Sequence, residues 1–463
     1  MKRYAWTGMS LPGCSCKGLT SMEVFRGEQT VSVGIAEEVS GVCVTFKGTF
    51  ICNGMPLQPG RYTVEPRPAA VLTDHSGRRI IEAETIVCIP CRSDDCRFVL
   101  EDILIGKGFH WERRQQQSFQ GELCIRCSEN GLLTVINTLP LEDYLKAVIS
   151  SEMNPRAPRE FLKAHAVISR SWLLCQLSRK KTAHPPRAGD TDLSFTDARK
   201  HTAFDVCADD HCQRYQGTGP VNASAAAALS ATKGEVLMSG DLPCDTRFSK
   251  CCGGITERYA SAWEDIDYPY LQPVADAPDE NRQWQAPLAS GRRAERFIKD
   301  SPAVFCNVQD RSFLQDILGS YDYETGNFFR WQVMIFQEEL QGILEQKTGI
   351  VFGAVRSLRP LSRGASGRIY RLKVSGQKDE RRFGKELVIR SILSPTHLYS
   401  SAFIVEPGPV RGGAPAWFRL RGAGWGHGVG LCQIGAAAMA AQGYDYRQIL
   451  LHYFRGAAVR KLY

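Results

Sequence analysis

Glu152 is the residue whose place in the sequence most invites chemistry. It closes the stretch LPLEDYLKAVISSEM (139–153), where Leu141, Leu145, Val148, Ile149 and Glu152 share one face if the segment is helical. A carboxylate that continues an apolar stripe loses hydration, which favours its protonated form. A carboxyl still protonated near neutral pH is what a general acid for glycosidic bond cleavage requires. The same spacing also fits a helix-end Glu turned to water.

The next segment adds a cation. Pro155 and Pro158 break the first helix, and Pro158 suits the opening turn of a second. From Phe161 to Leu177 apolar residues occupy almost every angle, so this helix is packed on several sides. Arg170 lies in its middle, and a buried guanidinium needs an anionic partner. Glu152 is a natural candidate, directly or through a substrate; a loop carbonyl or a surface Asp would also serve. Glu142 and Asp143 sit in the first turn of the Glu152 helix, where they complement its dipole, and read as structural.

Two further constellations stand out. Residues 201–212 hold four candidate metal ligands, His201, Cys207, His211 and Cys212. Thiolates and imidazoles so spaced can close on one tetrahedral ion, although adjacent His211 and Cys212 would need an unusual turn to share it. A Cys207–Cys212 disulfide is the other reading. Glycines at 422, 424, 426, 428 and 430 let the backbone approach a sugar or another chain segment closely. Among them Trp425 offers an apolar face for a sugar ring, and nothing bulky shields His427. Tyr144, Gln433 and Lys163 are additional site candidates. Cys88-x-x-Cys91 and Cys124-x-x-Cys127 mimic a four-thiolate zinc site, but strand-like texture surrounds the second pair.

Together these segments resemble the signature of the stage II sporulation protein D (SpoIID/LytB domain) family. The resemblance rests on Ser151-Glu152-Met153, the run Leu162-Lys163-Ala164-His165-Ala166-Val167-Ile168-Ser169-Arg170, the block Phe248 to Gly254, and the loop Gly424 to Gln433. In the third block Gly253 and Gly254 match, while Cys251 and Cys252 stand where the family more often has Ser. In the loop, Gly426 and Gly428 match and Cys432 stands in place of Ser. The resemblance runs in order from about residue 119 to the C-terminus.

It implies two functions of different classes. One is a lytic transglycosylase that cleaves between N-acetylmuramic acid and N-acetylglucosamine on peptide-stripped glycan, leaving 1,6-anhydro ends, with Glu152, Arg170 and His427 in the active site. The other is a non-catalytic enhancer that binds wall glycan and stimulates a muramoyl-alanine amidase. It further implies a structural zinc held by one His and two Cys, here His201, Cys207 and Cys212, with the last spacing off the pattern. A zinc hydrolase fits poorly, since no catalytic carboxylate adjoins the cluster.

The elements that must position these residues read as an α+β fold: a mixed sheet with packed helices, preceded by a smaller β-rich unit over 1–112, with 113–463 as the catalytic region. Residues 178–200 are polar and Pro/Gly-containing, a surface loop. RWQVMIFQEELQGILEQKTG reads as amphipathic helix, and KELVIRSIL as strand. The excess of 57 Lys and Arg over 49 Asp and Glu suits a polyanionic surface such as a cell wall. No motif points to nucleic acid, and no apolar run is long enough for a membrane span. Two early cations lack an apolar stretch after them, so residues 1–25 do not read as a secretory signal. Either the chain acts in the cytoplasm, or its start lies upstream or was trimmed; the implied wall substrate favours the second reading and hence the cell envelope.

Overall fold

The computed structural model describes residues 27–92, 95–108, 111–181, 201–278, 287–319 and 327–463. The N-terminal segment and most of the surface loop 178–200 lie outside the described residues.

The alternating segments near the N-terminus form strands. Thr30–Val39 pairs with Leu133–Pro140, which pairs with Glu122–Cys127, which pairs with Thr85–Pro90. These belong to a mixed sheet of seven strands, and a second sheet of six carries Val42–Lys47 and Arg97–Ile105 beside Arg113–Phe119. Residue 112 thus falls in the connection between two strands of one sheet. Val31, Val33, Val44 and Leu100 are fully buried. Aromatic rings continue the core inward, Phe46 to Phe50 to Phe98 to Phe119 to Tyr215 to Tyr144, each 4.7–6.5 Å from the next. That chain of rings ends on the Glu152 helix, so the β-rich part is packed directly behind the candidate site.

Cys52 and Cys88 oppose each other across strands and form a disulfide. This corrects the four-thiolate reading. Cys88 is taken, and Cys124 pairs with Val87, one step along, so its side chain leaves the other face of the sheet.

The two helices stand where the spacing puts them, Leu141–Glu152 and Arg159–Lys181. Pro158 accepts the Leu162 N–H and opens the second. They share one hydrophobic core with the strands and with the C-terminal helices Gln433–Ala441 and Tyr446–Tyr453. No helix among the described residues is long and apolar enough to cross a membrane.

A second core lies between Trp331 and Leu420. Here two expectations are corrected. RWQVMIF (Arg330–Phe336) is a strand, and only Gln337–Thr348 is helical. Trp331, Val333 and Ile335 alternate opposite Gly422, Leu420 and Phe418, a pairing that suits aromatic and β-branched side chains. Glu386–Ile392 is a helix, not a strand. Glu386, Ile389, Arg390 and Ile392 are its buried residues, spaced for one helical face, and short apolar runs do not reveal this from composition alone.

Candidate active site

Glu152 is 6 % exposed at the end of its helix and lines the wall of a cleft of about 1760 Å³. Two hydrogen bonds tie that helix end to the following loop. The Arg214 N–H donates to Glu152 Oε1 (3.2 Å), and the Gln216 N–H donates to Ser151 Oγ (3.3 Å). The loop is also docked on the N-terminal strand. Val206–Cys207 runs parallel to Val33–Gly34, and Asp205 Oδ2 accepts both the N–H (2.9 Å) and the hydroxyl (2.7 Å) of Ser32. One strand, Thr30–Val39, therefore positions both the Glu152 helix, through Leu133–Pro140, and the metal-ligand loop.

In that loop His201, Cys207, His211 and Cys212 bring their ligand atoms within 4.8 Å of one another. Cys212 Sγ lies 3.5 Å from His201 Nε2 and 3.5 Å from His211 Nδ1, and Cys207 Sγ lies 3.8 Å from His211 Nδ1. Zinc–sulfur bonds of about 2.3 Å and zinc–nitrogen bonds of about 2.0–2.1 Å give tetrahedral edges of roughly 3.3–3.8 Å. The donor set fits a thiophilic divalent cation. His211 joins the three ligands inferred from the motif, so the local turn that adjacency demanded does occur. No disulfide joins the two cysteines, which corrects that alternative. The Cys207 thiol is held well below its ordinary value by Cys212, against burial, with His201 and His211 adding.

The glycine-rich loop faces this wall. Trp425, Gly426, His427 and Gln433 line the same cleft as Glu152. Tyr399 stacks on Trp425 (centroids 4.5 Å, planes 24° apart), so the two rings form one aromatic surface. His427 is half-buried. Its Nδ1 accepts the Val429 N–H (3.0 Å), which leaves the ring proton on Nε2, and the ring also hydrogen-bonds the Phe248 backbone. Burial holds its pKa well below the usual imidazole range, with Arg247, Arg368 and Arg390 adding, so the ring is neutral. Arg368, fully buried, donates to the Gly426 carbonyl from Nε (3.2 Å) and Nη2 (3.0 Å) and to the Cys252 carbonyl (3.0 Å). At Gly428 (φ +75°) a Cβ would lie 2.3 Å from that guanidinium carbon. The positive φ and this close approach require glycine there.

Arg170 is not part of the cleft, which corrects its pairing with Glu152. Its Nε and Nη2 each donate to the Glu142 carboxylate (2.8 Å), and Nη1 donates to the Glu235 carbonyl (3.0 Å). Glu142 opens the helix that Glu152 closes, about 15 Å away along the axis. Burial would raise the Glu142 carboxyl, but Arg170 and the Tyr463 hydroxyl outweigh it and hold the pKa below its ordinary value. Lys163 is paired with Glu160 (2.6 Å) and lies over the Tyr446 ring. Tyr144 is buried under the metal loop, stacked on Tyr215, and its hydroxyl has no hydrogen-bond partner among the described residues. Gly253 and Gly254 lie behind the loop, where a Cβ on Gly253 would meet the Gly424 nitrogen at 2.8 Å.

Sequence reasoning missed much of the cleft's charge. Arg214, Arg247, Lys250, Arg390 and His397 also line it. Arg247 is ion-paired with buried Asp245 (2.7 Å) and lies over Trp263 (4.4 Å). His165, within the Leu162–Arg170 run, is held on both ring nitrogens: Gln433 Nε2 lies 3.1 Å from its Nε2 and Ser169 Oγ 3.2 Å from its Nδ1. Burial, with Lys250 adding, pushes the His165 pKa down to about 3.

The comparisons with known proteins agree with the motifs. Residues 129–238, which contain the Glu152 helix, the long helix and the metal-ligand loop, match the family model described as Stage II sporulation protein. Residues 257–430 match a domain of unknown function. The chain is similar to Stage II sporulation protein D of Bacillus amyloliquefaciens, 24 % identical over 70 % of this chain and 75 % of the relative. The corresponding protein of Bacillus subtilis is 23 % identical over the same shares. An uncharacterized protein of Brachyspira hyodysenteriae is 26 % identical over 71 % of this chain and 69 % of its own. The resemblance to the SpoIID family is thereby shown.

Proposed function

We propose that this chain is a peptidoglycan lytic transglycosylase in which Glu152 is the single acid/base. The observation that supports it most is Glu152 itself, a buried residue that lines a cleft also carrying the Trp425–Tyr399 surface. In the same cleft, Asp210 is bound to Arg214 (3.0 Å) and Asp209 accepts the Lys107 and Asp210 N–H groups. A hydrolytic glycosidase needs a second carboxylate to activate water or to form the covalent intermediate. The muramic acid's own C6 hydroxyl removes that need. Protonated Glu152 gives its proton to the glycosidic oxygen as the bond to C1 breaks. The C6 oxygen then bonds to C1, and its proton returns to the Glu152 carboxylate. An intramolecular nucleophile has a high effective concentration, which suits one carboxylate working alone.

Other residues have supporting parts. Trp425 and Tyr399 stack on a sugar ring, Lys250 and Arg247 face its carboxylate when the stem peptide is gone, and neutral His427 positions the loop. His201, Cys207, His211 and Cys212 would hold zinc, which braces the loop that carries Arg214 against Glu152. The Cys52–Cys88 disulfide supports work in an oxidising compartment, hence the cell envelope. Mass spectrometry of digested peptide-free glycan tests the reading: anhydro-muramyl ends are expected. Reducing ends alone would contradict it, and no cleavage together with stimulation of an added amidase would favour the enhancer.

A further inference from the structure

Behind the glycine-rich loop, away from the cleft, side chains from four separate stretches meet in the interior. Cys252, Asp276, Cys306 and Cys432 place one ligand atom each within 4.8 Å of all the others. They are 2, 0, 1 and 0 % exposed. Cys252 Sγ and Cys306 Sγ are 3.7 Å apart, the edge expected when two thiolates bind one tetrahedral ion with bonds of about 2.3 Å.

Backbone donors point at these atoms. The Cys252 N–H donates to Cys432 Sγ (3.1 Å) and the Gly254 N–H to Cys252 Sγ (3.4 Å). Asp276 Oδ2 accepts the Cys306 N–H (3.0 Å), and Oδ1 accepts the Tyr453 hydroxyl (2.5 Å). Donors so arranged orient and stabilise anionic ligands. Neutral thiols packed as small apolar groups would not call for them. Three thiolates and a carboxylate cannot share a dry interior without a compensating cation. Arg330, whose Nη1 donates to the Gly253 carbonyl (3.0 Å), brings one positive charge near Cys306, Cys251 and Cys252. That is too little for four anions, whereas a divalent ion among them cuts the charge to −2, of which Arg330 offsets one.

We propose that Cys252, Asp276, Cys306 and Cys432 form a second metal site, for a structural zinc ion, separate from the His/Cys loop on the cleft. Its ligands are soft sulfur with one oxygen, a set that selects zinc over magnesium or calcium. Binding displaces the thiol protons to solvent and leaves no open position for chemistry. The site works as a staple. Cys252 belongs to the segment that crosses Gly424, and Cys432 ends the loop and caps helix Gln433–Ala441. Cys306 and Asp276 come from the loops packed beneath. One ion thus fixes from behind the backbone that carries Trp425 and His427 at the front.

The test begins with the double variant Cys207→Ser/Cys212→Ser, which removes the cleft site. Purified without a metal-affinity tag, it is expected to retain close to one zinc per chain by elemental analysis. Zinc-edge X-ray absorption of the same protein should then show a sulfur-rich shell. Exchange with Co(II) should give intense thiolate-to-cobalt absorption. Adding Cys432→Ser should abolish both the zinc and the cobalt band. A metal-free double variant, a Cys252–Cys306 disulfide in non-reducing peptide mapping, a shell of only nitrogen and oxygen, or iron with acid-labile sulfide in place of zinc would each overturn the proposal. None of these readouts depends on glycan cleavage, so they stand or fall apart from the proposed activity.

Discussion

The two walls of the cleft use similar residues in opposite ways. On the metal-loop wall, Glu152 reaches the cavity, and the backbone N–H of Arg214 steadies it. On the glycine-loop wall, the charged and polar groups mostly hold backbone. Arg368 holds the Gly426 and Cys252 carbonyls, and His427 is occupied by Val429 and Phe248. In the proposed reaction the first wall is where a proton moves. The second is a shaped, aromatic surface whose polar side chains maintain its form. Arg170 repeats the lesson in the helices: a residue in a signature motif can serve the fold about 15 Å from the chemistry.

That contrast can be broken by mutation. Glu152→Gln keeps the shape but cannot cycle a proton, and should lower glycan cleavage by about 10²–10⁴-fold with little change in melting temperature. An unaffected rate would remove Glu152 from the chemistry. Arg170→Ala should do the reverse. Leaving the Glu142 carboxylate without its buried partner should cost about 3–5 kcal/mol of stability, while the protein that remains folded still cleaves. If chemical denaturation showed no loss but turnover vanished, Arg170 would belong to the site after all.

Metal removal sharpens the comparison on the first wall. His211→Ala should weaken zinc retention in chelator dialysis and lower thermal stability, since metal binding energy is folding energy for such a loop. Unchanged zinc affinity would return His211 to the role of bystander.

The smallest effect concerns pH. Buried His165, with its pKa pushed down to about 3, is neutral when folded, whereas the unfolded chain takes up a proton near 6.5. The unfolded state then binds more protons between those values, so stability should fall as pH drops through that window, by up to about 1.4 kcal/mol per pH unit from this group. His165→Gln should flatten the slope by that amount in denaturant titrations at several pH values. An identical slope in wild type and variant would show that His165 does not titrate on unfolding.

Much of this was legible in the sequence where the signal is local. The Glu152 helix followed from its apolar spacing, and residues 201–212 declared themselves by ligand density. What lay far apart along the chain did not. Glu142 and Arg170 are 28 residues apart, and nothing in either segment shows that a bidentate pair forms between helix faces. Cys252 and Cys432 are 180 apart, so their convergence depends on the crossing of two glycine-bearing segments. KELVIRSIL failed for another reason: β-branched residues in a short run suit either strand or helix until packing decides.

In the proposed reaction one carboxylate and the substrate's own hydroxyl suffice, with no water consumed. Digestion of peptide-free glycan in ¹⁸O-labelled water measures this directly. New ends produced by the wild-type protein should be anhydro-muramyl and carry no label above background. Labelled reducing ends would show that water is the nucleophile and would contradict the account.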